Sequence, residues 1–576
     1  MAVQLTENAL RILQTRYLKR DGAGNVVETP DQMLQRVAQH VASAETHFDP
    51  AAKVEEVADS FYGMMASMEF LPNSPTLMNA GRELGQLAAC FVLPIEDSLE
   101  SIFEAVKDTA LIHQSGGGTG FSFSHLRPKN DIVSTTSGVA SGPVSFMQVF
   151  NKATDVIKQG GTRRGANMGV LRVDHPDIAE FVAVKRNPTE LTSFNLSVAI
   201  TREFMEALER DGETALINPH TRQLVETVAA REIFDLIVDC AYESGEPGVL
   251  FLDHINRDNP TPQLGEIEST NPCGEQPLLP YEACNLGSIN LTKMIKRGPN
   301  GREIDWEKLD RTVRLAVRFL DNVIEVNRYP LAQIDQVTRG NRKIGLGVMG
   351  FAHLLLLVDV SYGSEEGIRV GEEVMRFITQ AGHEASRKLA ATRGAFPNFL
   401  GSRYDREGQP PVRNATVTTI APTGTLSIIA NCSSGIEPLY ALYYTRRALD
   451  QWEFSEFDPI FAQVAQEKGF WRAELEVSLR ETGRLQAPEM IGPNVHDLFV
   501  TTFDIPPEHH VRMQAAFQRN TDNAVSKTIN FSQRATRDDV RRALLMAYEL
   551  KCKGVTIYRS GTRGGQVLTC GSGQVC

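Results

Sequence analysis

An α/β fold preceded by a helical N-terminal region is what the patterning of this chain predicts. Three observations carry that expectation. The first 70 residues space their apolar side chains three to four apart, β-rich runs alternate with longer helical patterns from about Cys90 to Tyr558, and 42% of the 576 residues are hydrophobic, enough for a large core.

The elements follow in chain order. Asn8–Leu18 and Asp31–Ala42 read as helices separated by a turn at Asp21-Gly22-Ala23-Gly24-Asn25. Leu99–His113 reads as a helix capped by Ser98, with Leu99, Ile102, Phe103, Val106 and Ala110 on one face. Val144–Ile157, behind Pro143, reads as a second, with Phe146, Met147, Phe150, Ala153 and Ile157 facing inward. Gly120–Phe123, Ser193–Ile200 and Ala415–Ile420 read as strands. The expected divisions are a helical region at 1–85, an α/β domain at 86–560 and a flexible Gly-, Ser- and Thr-rich tail at 561–576.

Composition excludes several function classes. The 59 basic and 71 acidic side chains leave a net charge of −12, so no general field attracts a nucleic-acid polymer. The amino terminus lacks the pattern of a signal peptide, and no run of about 20 apolar residues exists to suggest a membrane span. A cytoplasmic protein is therefore expected. Its cysteines, at 90, 240, 273, 284, 432, 552, 570 and 576, form no Cys-x-x-Cys pair, and His-Glu-x-x-His is absent. No metal site of common spacing is expected, which leaves thiols with redox or radical work available to them.

Four motifs carry chemistry. Gly345-Leu346-Gly347-Val348-Met349-Gly350 matches the dinucleotide-binding spacing, but Arg339–Lys343 before it is no strand, and close helix packing accounts for the glycines better. A nicotinamide oxidoreductase built on that motif stays as an alternative. Ala415–Ile420 followed by Ala421-Pro422-Thr423-Gly424-Thr425-Leu426-Ser427 reads as strand, tight loop and helix start, where backbone N–H groups and hydroxyls suit a phosphate or simply cap a helix. Gly160–Gly165 carries Arg163 and Arg164 on a glycine-rich loop, which reads as a phosphate or base contact, or as solvated surface. Asn271-Pro272-Cys273-Gly274-Glu275 sets a thiol between an amide and a carboxylate; if extended, positions 271, 273 and 275 face one side. A cysteine with no work beyond packing is the competing reading.

These motifs, together with Asn73–Gly81, Cys90–Leu93, Ser115–Gly120, Cys284–Ser288 and Tyr444–Arg447, occur in the order and form of the ribonucleotide reductase large chain, which the sequence resembles from about residue 5 to 565. The resemblance implies a ten-stranded α/β barrel of two antiparallel halves with a central finger loop. It implies that Cys273 carries a thiyl radical that takes the 3′-hydrogen of the ribose, that Glu275 accepts the 3′-hydroxyl proton and Asn271 holds that hydroxyl, and that Cys90 and Cys284 deliver reducing equivalents. Ser74, Ala89, Cys90, Gly118, Asn271, Glu275 and Thr423, Gly424, Thr425, Leu426 and Ser427 match substrate-binding positions. Asp97 and Arg127 match contacts to a dNTP or ATP effector. Thr162, Arg163, Arg164, Gly165, Ala166, Asn167 and Met168 resemble the loop that links effector identity to substrate choice.

The radical source follows from a second comparison. Relatives served by a metal subunit carry a tandem tyrosine pair near the C-terminal end of the barrel, which is absent here, whereas Ala524–Phe531 and Lys553–Arg559 are similar to adenosylcobalamin-dependent members. The expected cofactor is adenosylcobalamin, and the expected substrates are ribonucleoside diphosphates. Cys570 and Cys576 are expected to relay electrons from thioredoxin or glutaredoxin, and the effector site implies a homodimer. The ATP-binding cone of some relatives is missing, so overall control by dATP is not expected. The alternatives are a metal-subunit-dependent large chain and a catalytically silent nucleotide-binding protein.

Overall fold

The computed structural model describes residues 3–133, 138–157, 165–299, 301–448, 452–485, 493–562 and 568–570. The amino-terminal part is helical: α1 (Glu7–Arg16), α2 (Pro30–Ala42) and α3 (Val54–Ala66). The starts of α1 and α2 are written locally. Thr6 accepts from the Ala9 N–H at 3.1 Å, and Thr29 and Gln32 form a reciprocal capping box around Pro30, whose missing N–H costs nothing in a first turn. Ile12, Leu13, Val37, Val41 and Phe61 then join one core with Val313, Val317 and Leu320 of the long helix Trp306–Val326.

The α/β region is built on parallel neighbours. β1 (Cys90–Val92), β2 (Gly118–Ser122), β3 (Asn167–Arg172), β4 (Phe194–Ile200) and β5 (Gly248–Phe251) pair in that order, all parallel. β6 (Ala283–Asn290) and β7 (Ile344–Met349) form one further parallel pair, and β8 (Thr528–Phe531) and β9 (Gly554–Arg559) another. The five-stranded set meets each pair antiparallel, β6 against β1 and β9 against β5.

Between β7 and β8 the expectation of a strand at Ala415–Ile420 fails. That segment makes only single bridges, Leu346 to Thr418 and Ile420 to Val525, although its hydrogen bonds still connect β7 to the residues before β8. The tenth strand of the sheet is instead Phe70–Pro72, paired antiparallel with β6. The physical reason is a carboxylate that displaces a ladder partner: Asp522 takes the Val417 and Thr418 N–H groups at 2.8 and 3.2 Å, while its other oxygen meets His383 Nε2 at 2.9 Å. Burial opposes ionisation of Asp522, but His383 and the two amides win and hold its carboxyl down at about 2.

Close approach of this segment also explains Gly345–Gly350. These glycines stand in and just after a strand rather than at a helix packing face; a Cβ on Gly347 would sit 2.2 Å from the Thr419 carbonyl oxygen. Neither the dinucleotide reading nor the expected helix packing is needed.

Helices α4 (Leu99–Gln114) and α5 (Pro143–Val156) pack beside β2, with Ser98 capping α4 as expected. Their inward faces differ from the predicted ones. On α4 the buried stripe is Ile102, Ala105, Thr109 and Ile112, while Leu99 and Phe103 are 61% and 53% exposed. On α5, Val144, Met147, Phe150, Asn151 and Thr154 are buried, whereas Phe146, Ala153 and Ile157 are only half-buried. Helical periodicity located an apolar stripe without saying which neighbour covers it. In the carboxy-terminal tail, Leu568–Cys570 pairs with Tyr444–Arg446, so this piece is strand. Cys576 lies outside the described residues.

Candidate active site

The site is organised by a hairpin. Ser269–Thr270 and Pro277–Leu278 pair antiparallel, and residues 271–276 form its tip. The expectation that 271, 273 and 275 lie on one side of an extended segment is corrected: the tip is a turn, closed by Gly274 N–H to Asn271 C=O at 3.0 Å and Gln276 N–H to Asn271 Oδ1 at 3.0 Å. Asn271 and Glu275 are buried at its flanks, 3% and 2% exposed, and Cys273 is exposed at its end.

The finger is held from both sides, by β4 and by the segments that run beside β7 and before β8. Asn195 on β4 donates to the Pro272 carbonyl at 2.7 Å, and on the other side Thr419 Oγ1 and the Ala524 N–H donate to the Glu275 carbonyl at 2.8 and 3.0 Å. The glycine-rich run Ser115–Gly120 makes room for it. A Cβ on Gly118 would lie 2.9 Å from Pro272, and one on Gly120 would lie 1.7 Å from the Thr270 carbonyl oxygen. Gly120→Ala must therefore push the finger by more than an ångström. Its expected result is a fall in kcat of about 100-fold with nucleotide binding retained, because a misplacement of that size costs reacting groups their alignment. A kcat within twofold of the parent, measured under saturating substrate, would show that the finger position is not what Gly120 protects.

Beneath the tip lie two more thiols. Cys90 on β1 and Cys284 on β6 are direct cross-strand partners, and both are buried and free. Residues so placed have Cα atoms about 4.5–5.5 Å apart, inside the range a disulfide spans. Asn271 Nδ2 reaches Cys90 Sγ at 3.1 Å, tying the finger to the pair. Burial pushes the Cys90 thiol well up, assisted by the Glu275 charge, and burial likewise raises Cys284 against the opposing pull of Lys343. Both therefore stay protonated near neutral pH and can give up hydrogen. Behind Cys284 lies a buried ion pair, Lys343 Nζ to Glu282 Oε2 at 2.6 Å.

The Thr423–Ser427 loop comes to the same place, since Ala421 shares an apolar cluster with Cys90, Cys284 and Ala89. Gly424 is exposed with nothing near its Cα face, and Leu426–Ile429 is a single short helical turn. Gly118 is the register partner of Cys90 and donates its N–H to the Ala89 carbonyl at 2.9 Å. Ser74 opens a short helix and hydrogen-bonds the Tyr17 hydroxyl at 2.7 Å.

Asp97 and Arg127 are brought together. Arg127 Nε and its own N–H donate to Asp97 at 2.8 and 3.1 Å, and His220 Nδ1 lies 3.1 Å from the same carboxylate. His220 was not foreseen, because it belongs to a hairpin far away in sequence. Of the expected specificity loop, Thr162, Arg163 and Arg164 lie outside the described residues. Ala166 accepts the Thr119 N–H at 3.2 Å, Gly165 packs against His113, and Asn167 and Met168 begin β3 with buried side chains. Asn167 bonds Thr119 Oγ1 and Thr154 Oγ1 at 2.8 and 3.0 Å, so this end is anchored. Asn195, Thr419 and Asp522 were also missed as site-building residues; within the sequence they look like ordinary polar residues of strands and loops.

Among the described residues no group of three or more His, Cys, Asp or Glu side chains is arranged to hold a metal, and no helix is long and apolar enough to cross a membrane.

Comparison with known proteins adds to this geometry. Residues 88–558 match the family model "Ribonucleotide reductase, barrel domain" and residues 3–85 match "Ribonucleotide reductase, all-alpha domain". A "Vitamin B12-dependent ribonucleoside-diphosphate reductase" of Thermoplasma acidophilum is 48% identical over 627 aligned positions, covering 99% of this chain and 81% of the relative. One of the same name from Mycobacterium tuberculosis strain H37Rv is 48% identical, with coverage of 98% and 79%. The solved alpha subunit of a class Id ribonucleotide reductase from Actinobacillus ureae superposes with a TM-score of 0.79 at 22% identity, each chain 97% covered, which is a likeness of fold.

Proposed function

The chain belongs to the ribonucleotide reductase large-chain family, and on that premise we propose that it reduces ribonucleoside diphosphates to 2′-deoxyribonucleoside diphosphates through a thiyl radical on Cys273. One observation carries the reading. Cys273 is the open thiol at the tip of a hairpin whose flanks, Asn271 and Glu275, are buried beside the facing pair Cys90 and Cys284.

The chemistry follows from these placements. The Cys273 radical takes the 3′-hydrogen, forming an S–H bond and leaving the unpaired electron on the sugar. Glu275 accepts the 3′-hydroxyl proton, and Asn271, which already bridges finger and thiol pair, orients that hydroxyl. The 2′-hydroxyl leaves as water. Cys90 and Cys284, held as neutral thiols by burial, supply two electrons and their protons and end as a disulfide. Cys273 then returns its hydrogen to the 3′-carbon and regains the radical. Thr423–Ser427 holds the substrate phosphates, with Ser74, Ala89 and Gly118 around the nucleoside.

Adenosylcobalamin, named for the close relatives as vitamin B12 dependence, supplies when bound the organic radical that withdraws hydrogen from Cys273. The residues fit that group: Cys273 is open to an incoming reactant while the other two site thiols are buried, and in the sequence Tyr558 on β9 is flanked by Ile557 and Arg559 rather than by the second tyrosine of a tandem pair.

Asp97 and Arg127 take a dNTP or ATP effector, and Gly165–Met168, with the residues before it, passes its identity to the substrate site. Support for a homodimer comes from α4, where Leu99, Phe103, Val106 and Ala110 form an exposed to half-buried apolar stripe at helical spacing, as a twofold helix contact requires. Cys570 and Cys576 relay electrons from thioredoxin or glutaredoxin in the cytoplasm.

The test is deoxynucleotide formation from a ribonucleoside diphosphate with a dithiol, with and without adenosylcobalamin. Product only with the cofactor is expected. Activity requiring a second protein and no cobalamin would assign the chain to the metal-subunit branch, and effector binding with no turnover under any condition would make it a silent nucleotide binder.

A further inference from the structure

The loop read above as the phosphate site is strained and leans on a second segment. Thr423 holds a φ of +51°, a left-handed conformation that a β-branched residue keeps only when its surroundings impose it. What imposes it is the run Ser433–Glu437. Gly435 N–H donates to Thr423 Oγ1 at 2.7 Å, and the Ser434 and Ser427 hydroxyls meet at 2.8 Å. At its far end Glu437 accepts from the Thr528 N–H at 2.7 Å and from Lys527 Nζ at 2.6 Å, at and just before β8.

At its near end this brace is gripped by one histidine. His353, 2% exposed in the short helix Phe351–Leu357, accepts the Ser433 N–H on Nδ1 at 3.0 Å and donates its own backbone N–H to Ser433 Oγ at 3.3 Å. A backbone N–H can only donate, so Nδ1 carries the lone pair and the ring proton sits on Nε2. That proton is taken by Asp458 Oδ2 at 2.7 Å, and the other Asp458 oxygen caps the following helix by accepting from the Ile460 and Phe461 N–H groups at 3.1 and 2.9 Å. Gly350 N–H to the Ser433 carbonyl at 2.7 Å completes the grip.

We propose that His353, its tautomer set by Asp458, is a positioning residue for substrate phosphate binding, acting through the Ser433–Gly435 brace on Thr423 and Ser427. The proposal rests on the reading of Thr423–Ser427 as the phosphate loop. It places an element of substrate affinity in a buried group that touches neither substrate nor thiols.

Side-chain length separates the two contacts of the imidazole. Glutamine reaches as far as Nε2 and can still meet Asp458, but leaves the Ser433 N–H without its acceptor. Asparagine reaches only as far as Nδ1, where its carbonyl can accept that N–H. In the cobalamin-loaded enzyme, His353→Gln is expected to raise KM for cytidine diphosphate roughly tenfold, the order of one buried hydrogen bond lost, with kcat unchanged and inhibition by cytidine, which has no phosphate, unaffected. His353→Asn should bring KM back to within about threefold of the parent. Ser434→Ala, which leaves the histidine intact, should move KM in the same direction as His353→Gln.

Thr425→Val, measured in parallel, tests the loop itself. If it alters discrimination between cytidine diphosphate and cytidine while His353→Gln does not, the loop reading stands and the positioning role falls. If neither variant alters discrimination, the loop reading falls and the proposal with it. Equal losses of kcat and of affinity for both ligands in His353→Gln and His353→Asn would show a general packing role instead and overturn the proposal.

Discussion

Cys273→Ser is expected to abolish turnover while ribonucleoside diphosphate binding stays within about threefold of the parent, because the exchanged atom lies on an exposed residue at a loop tip. An O–H bond is much stronger than an S–H bond, so serine offers no hydrogen that an organic radical can withdraw, and no side-chain radical forms to take the 3′-hydrogen. Cys90→Ser and Cys284→Ser should behave differently. Each keeps Cys273 and so keeps exchange of the 3′-hydrogen, but each removes half of the facing pair that must become a disulfide. The measurements are product formation and release of a 3′-hydrogen label into solvent. Loss of both in Cys273→Ser, against loss of product alone in the other two, is the expected pattern. Equal and mild effects in all three would mean that the radical does not reside on Cys273.

Asp321→Ala should give the largest loss of stability, about 3–5 kcal/mol, the usual cost of stranding buried charges by removing their partner. Asp321 is fully buried in the helix Trp306–Val326 and meets Arg342, Arg393 and Arg413, at 2.7, 2.8 and 3.4 Å, whose side chains are at most 7% exposed. Burial works against its ionisation, but the three guanidinium groups outweigh it and hold the carboxyl below the ordinary value. Arg393 also binds Glu45 at 2.8 Å, which Arg318 and Asn322 reach at the same distance, so the network fastens the N-terminal helices to the catalytic region.

A pH dependence follows. Burial would raise Glu45, yet Arg318, Asn322 and Arg393 bring it from 4.5 down to about 2. A depressed carboxyl contributes its full stability above its unfolded value and loses it as pH falls through the folded one, so this contribution fades from about 4.5 towards 2. Urea denaturation of Asp321→Ala should show a lower midpoint at pH 7, and Glu45→Gln should flatten the loss of stability between pH 4.5 and 2. An unchanged midpoint for Asp321→Ala would mean that the arginines find other partners.

Features governed by near neighbours were legible in the sequence. Thr29 and Gln32 box the start of α2, Ser98 caps α4, and Phe194–Ile200 reads as a strand because Phe194, Leu196, Val198 and Ile200 alternate along it. The order of glycine-rich loops and thiols gave the family resemblance and with it the residues proposed above for the chemistry. Ala415–Ile420 was misread for the complementary reason: its β-branched residues favour a strand, but the Asp522 carboxylate, about 100 positions further on, takes two of the amides a ladder would use. The stripe of Leu99 and Phe103 was legible as apolar, but its exposure depends on what packs beside α4.

The sequence alone thus determined the α/β class, the helical lead-in, the absence of a polyanion-attracting charge and the thiols available for radical chemistry. Propensity, capping and periodicity act over a few residues, which is the range at which they can be read. Only the tertiary structure decided that Cys90 faces Cys284, that the finger turns to leave Cys273 open and Asn271 and Glu275 buried, that Asp97 meets Arg127 and His220, and that His353 grips the segment behind Thr423. Each of these is a contact between distant parts of the chain, set by strand register and by the close approach that Gly118, Gly120 and Gly347 permit, and no local rule carries that register.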